Sequence, residues 1–179
     1  LSGTHSMITL SRCTLLLAAV LMAAPLRAHD LMESFIEAIV RTDQLELLIT
    51  MGPGTALKLV DPAAKPQQLT PELLERYRAR LLKEGAGLFL VTSSKARLAP
   101  GGVEVKLTEE KDVAFKVTYP RPPPGLLIFN AVFLEKLGVG FGGIIDASDT
   151  AGHHLGWDQI TWENTSLVVV LPASGPAPK

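Results

Sequence analysis

The chain has 179 residues, 47% of them hydrophobic, with 17 basic and 18 acidic side chains. That balance belongs to a globular protein and excludes a disordered chain. No basic stripe breaks the near-neutral charge, so neither nucleic acid nor an anionic lipid surface is the expected partner.

The first 28 residues read as a leader. Met7 has the look of a natural start, Arg12 supplies a positive charge, and Cys13 to Ala24 is an uncharged apolar run. Leu26-Arg27-Ala28 ends on a small residue. This is the order of a secretory signal peptide, and the run is about half the roughly 20 residues a spanning helix needs. Cleavage after Ala28 exposes His29, whereas cleavage after Ala24 would leave Pro25 behind the cut. Removing 28 residues and two of the 17 basic groups leaves 15 basic against 18 acidic groups, a net charge of −3. The single cysteine leaves with the leader, which excludes a disulfide, a thiolate metal site or a cysteine nucleophile from the mature chain. The expected location is periplasmic or extracellular, without membrane insertion after cleavage. The expected organisation is a leader over 1–28, one domain over 29–171 and a proline-rich tail over 172–179.

In chain order, Glu33 to Val40 and Leu45 to Met51 read as a β-hairpin with Ile36, Ala38 and Val40 on one face. Residues 52–68, punctuated by Pro53, Gly54, Pro62 and Pro66, read as loop with one helical turn near Thr55 to Leu59. Thr70-Pro71-Glu72 opens a helix with its N-cap, first-position proline and first-turn acid in place. Leu73, Leu74, Tyr77 and Leu81 give it an apolar stripe, and Gly85 a stop. Strands are predicted at Leu88 to Thr92, Val103 to Leu107, Val113 to Tyr119, Leu126 to Leu134, Ile144 to Ala147, Trp157 to Glu163 and Ser166 to Leu171. The last run is so continuously apolar that it predicts burial on both faces. The PRPPPG segment from Pro120 is a stiff connector, and the glycine-rich stretch from Gly138 to Gly143 reads as a bend. The fold class is therefore mainly β: an antiparallel, immunoglobulin-like sandwich of about eight or nine strands with one inserted α-helix.

A terminal His29 would offer its α-amine and imidazole to one ion, a chelate suited to copper(II). His153 and His154 are the other mature histidines, expected in the loop Thr150 to His154, and Asp30 can add oxygen. The candidate metal set is therefore His29, His153, His154 and Asp30, with copper or nickel as the ion. Trp157 and Trp162 could form an exposed aromatic platform, although tryptophans of a sandwich are more often core residues. No GxSxG elbow is present, no acid–base pair can be assigned, and the expected activity is not enzymatic.

Ala28-His29-Asp30-Leu31-Met32-Glu33-Ser34, the following hairpin with Leu45 to Met51, the Leu73 to Leu82 helix and the final SLVVVL strand resemble the extracytoplasmic N-terminal region of HupE/UreJ-type membrane proteins. The likeness spans most of residues 29–171 and rests on short apolar motifs. It implies nickel or cobalt handling at the cell surface and a membrane-protein partner, since the family's membrane domain is missing here. The histidine start also resembles copper-binding CopC-like proteins, but the inserted helix and the lack of a methionine-rich stretch depart from them. The expectation is an exported binding or accessory module for a divalent metal. A metal-free interaction domain is the alternative, and a copper oxidoreductase the third reading.

Overall fold

The computed structural model describes residues 34–63, 69–94 and 96–173. Alternation of apolar and polar residues, the strongest sequence signal, becomes the frame of the first sheet. β1 (Ser34–Val40) and β2 (Gln44–Met51) form the predicted hairpin, with Ile36, Ala38, Leu45, Leu47 and Ile49 fully buried. β5 (Gly102–Leu107), β6 (Val113–Pro120), β8 (Gly142–Asp149) and β9 (His154–Thr161) complete a six-stranded sheet in the order β5-β6-β2-β1-β8-β9. β3 (Phe89–Ser93), β4 (Arg97–Leu98), β7 (Gly125–Ala131) and β10 (Ser166–Leu171) form a four-stranded sheet in the order β10-β7-β3-β4. The described residues thus hold ten strands and, with α1 (Pro53–Val60), α2 (Pro71–Gly85) and α3 (Phe133–Leu137), three helices.

The mainly-β reading stands, but its details change. The pairing of β1 with β8 is parallel, Ser34 opposite Gly143 and Val40 opposite Asp149, so the larger sheet is mixed. Residues 53–60 form a full helix where the sequence suggested one turn. Pro53 sits in its first turn, where a proline's fixed φ and missing N–H cost nothing. The predicted strand Leu126 to Leu134 stops at Ala131, and α3 follows at once. Phe133, Leu134 and Leu137 are buried there, and the Phe133 ring tilts against Phe89 at 5.7 Å.

Helix α2 begins where its cap requires: Thr70 Oγ1 accepts from the Leu73 N–H at 3.3 Å. It lies against the inner face of β5 and β6, so closely that a Cβ on Gly85 would meet Val103 at 2.8 Å and Phe115 at 2.9 Å. Arg78 also donates to the Val105 carbonyl, so an α2 side chain satisfies a backbone acceptor on the edge strand β5. At the other edge, Gly156 of β9 faces Val169 and Leu167 of β10, which joins the two sheets. Tyr119 ties β6 to β3 through its hydroxyl on the Phe89 carbonyl, and burial pushes its phenol up to about 12.

Glycine carries real constraint at the bend into β8 and at the parallel seam. Gly138 and Gly140 hold φ of 84° and 92°, which makes the bend into β8. A Cβ on Gly143 would lie 2.3 Å from both the backbone oxygen and Oγ of Ser34. The parallel strands meet there through Ser34 Oγ donating to the Gly142 carbonyl at 2.8 Å.

The final strand corrects a second expectation. Leu167, Val169 and Leu171 point inward, but Val168 and Val170 are 55% and 64% exposed. Opposite them on β7 stand Ile128 and Leu126, and Leu126 is exposed as well. An apolar strip therefore runs along the outer face of the β10–β7 pair.

Candidate functional site

The predicted metal set divides. His29 and Asp30 lie outside the described residues. His153 and His154 are neighbours in sequence but belong to different sides of the larger sheet. His154 is not in a loop: it is the first residue of β9, opposite Ser148 on the outer face. The register slips between Ala147 and Ser148, a bulge that turns Leu155 and Gly156 inward in succession.

The turn carrying His153 is built by Asp149. Asp149 Oδ1 accepts from the Ala151 and His153 N–H groups at 2.8 and 2.9 Å, and Gly152 closes the turn at φ 79°. Asp149 Oδ2 then meets His153 Nδ1 at 2.9 Å. The His153 contact, followed by the two backbone donors, holds the Asp149 carboxyl below its usual range. His154 Nδ1 lies 3.0 Å from Asp146 Oδ1. That approach lacks hydrogen-bond alignment, and Oδ1 is sealed from solvent without a hydrogen bond among the described residues. Each imidazole therefore has Nδ1 against a carboxylate and Nε2 unclaimed by any contact among the described residues. A carboxylate behind Nδ1 is the arrangement that orients a metal-binding histidine. Among the described residues no three His, Cys, Asp or Glu side chains converge as a metal-binding group.

His153 borders a cleft of about 420 Å³ between the ends of the two sheets. Val40, Leu155, Leu171 and Pro122 give it apolar walls, while Thr42, Thr150 and Arg121 are polar. Arg121 is positioned by one NH1 donation to the Arg41 carbonyl.

Two features of the larger sheet's outer face were not found by reading the sequence. One straight row runs Glu104, Lys116, Leu48, Glu37, Asp146, Trp157 across all six strands. Trp157 is an exposed member of it, not a core residue, and Trp162 just past β9 is half exposed. In the neighbouring row Glu46 is almost wholly buried, at 4% exposure. Arg41 Nε approaches it at 2.5 Å, Lys116 Nζ at 3.1 Å, and Gln44 donates at 2.7 Å. Burial works to raise its carboxyl, but the Arg41 and Lys116 contacts outweigh it and hold the group below its usual range. The signal was available only as polar residues at alternate positions. Their convergence depends on β2–β6 pairing across some 70 residues.

No helix among the described residues is long and apolar enough to cross a membrane. Comparison with protein-family models and with curated proteins gave no match.

Proposed function

We propose that the chain is an exported, non-enzymatic binding or accessory module, similar to the outer domain of HupE/UreJ-type proteins, whose binding chemistry lies at the β8–β9 turn. The observation that supports this reading is the Asp149–His153 pair. A turn held by three hydrogen bonds presents an imidazole that is 77% exposed, with its Nδ1 already engaged. Copper or nickel would take Nε2 of His153, with His29 supplying its amine and imidazole and Asp30 an oxygen. His154 is the weaker donor, since its Asp146 contact is unaligned and on the other side of the sheet.

The β1–β8 register makes this reading demanding. Ser34 stands opposite Gly143, while the histidine turn follows Asp149, six residues along. That is roughly 20 Å at the rise of a strand. The five steps from His29 to Ser34 span at most about 18 Å.

Titration of metal-free protein beginning at His29 with Cu(II) and Ni(II) tests it. The expected result is a dissociation constant below about 10 μM, near 7 kcal/mol. His153→Ala should weaken binding at least tenfold and His154→Ala much less. Absence of such binding removes the metal, and indifference to His153 removes the β8–β9 turn as its site. The second reading is a metal-free interaction domain. It is favoured by the exposed strip Leu126, Val168 and Val170, a contiguous apolar patch of the kind that marks contact surfaces.

A further inference from the structure

The cleft beside the histidine turn has a chemistry that metal binding does not use. Its volume, about 420 Å³, falls within the range of small-molecule pockets. Val40, Leu155 and Leu171 come from three strands of two sheets and form an apolar floor that would hold a hydrocarbon group. The polar groups are few and unequal. Asp149 is the cleft's carboxylate, and its oxygens are already occupied by His153 and two backbone N–H groups. Arg121 lies within ion-pair distance of no carboxylate among the described residues. The buried acid Glu46 is shared by Arg41 and Lys116. Arg121 is also held in place: Pro120 precedes it, three prolines follow it, and its NH1 donates to the Arg41 carbonyl. A guanidinium fixed in this way keeps its remaining donors free and loses little freedom when it binds.

We propose that this cleft binds a small organic carboxylate, with the charged end on Arg121 and the hydrocarbon part against Leu155, Leu171 and Val40. The hydroxyls of Thr42 and Thr150 stand at the same rim and can share the anionic oxygens. A monocarboxylate of six or so carbons fits within such a space. An inorganic anion would engage Arg121 but leave the apolar floor in water.

The test is a titration of the protein with hexanoate, followed by amide chemical shifts, with a chelator present throughout so that the result is independent of any metal. Hexanol and inorganic phosphate serve as the matched apolar and anionic probes. The expected result is saturable shifts at Thr42, Thr150, Leu155 and Leu171 with a dissociation constant near or below about 1 mM. Hexanol and phosphate should each bind at least tenfold more weakly. Arg121→Gln should lower hexanoate affinity at least tenfold and leave hexanol unchanged, as expected for loss of a charge-assisted hydrogen bond. Arg121→Lys should recover part of the loss. Shifts scattered away from the cleft, equal affinity for hexanoate and hexanol, or indifference to Arg121→Gln would overturn the proposal. Should the glutamine variant fail to fold, the comparison of hexanoate with hexanol on the unaltered protein decides alone.

Discussion

Glu46 shows how a single side chain can be buried on the outside of a sheet. It sits on the solvent-facing side of β2, yet Arg41, Lys116 and Gln44 close over it. Both cations remain more than a third exposed and can be resolvated when the acid is lost. Glu46→Gln should therefore cost only about 1–2 kcal/mol, between the values for exposed and buried pairs. The pH dependence has a definite sign. The folded carboxyl is depressed below its unfolded value of about 4.3, so its contribution is complete above that value and disappears as pH falls through the folded one. Urea denaturation at pH 7 should separate the protein from the variant, and the gap should shrink on going below pH 4. A gap that stays constant in acid would mean that charge is not its source. Gly143 marks the tightest local constraint. Gly143→Ala should lose at least about 2 kcal/mol in the same assay, since the clash is with Ser34 backbone and not with a flexible side-chain end.

Among the elements, those set by local chemistry were legible from residue order alone. Thr70-Pro71-Glu72 gave the start of α2, and alternation gave β1, β2, β5 and β6. Thr70→Ala should cost about 1 kcal/mol by thermal melting, the usual value of an N-cap. Elements whose identity depends on distant partners were not legible. Phe133 and Leu134 have no strand neighbour to continue β7, so the chain turns into α3 and buries them against Phe89. In β10 five of six residues are apolar, and period alone cannot tell a strand covered on both faces from one whose outer face is left open. Lysine substitution separates the two faces. Val168→Lys should change stability by less than about 0.5 kcal/mol, and Val169→Lys should cost at least about 3, because the charge would enter the space between the sheets. Similar losses at both positions would show that the outer strip is covered in solution. For the site, sequence gave the histidines but not their separation, which arises because His153 stays in the turn while His154 begins β9. It gave Arg121 only as part of a stiff connector.

For the whole molecule, one apolar cluster runs through both sheets and all three helices, from Ile36 and Leu47 through Leu57, Leu81 and Phe133 to Val169. A shared core of this kind predicts one cooperative transition for the described body. Tryptophan fluorescence, which reports on the β9 region, should follow the same denaturant curve as far-ultraviolet circular dichroism, and separate midpoints would show that the smaller sheet melts by itself. The parallel seam has a consequence for how such a molecule comes into being. β1 waits for a partner that follows it by about a hundred residues, so contact order is high and closure is slow. As the chain is made from its N-terminus, the free side of the first hairpin stays unpaired until residue 149 has appeared. Through that interval it is an open template for foreign strands, a hazard a holding chaperone would relieve.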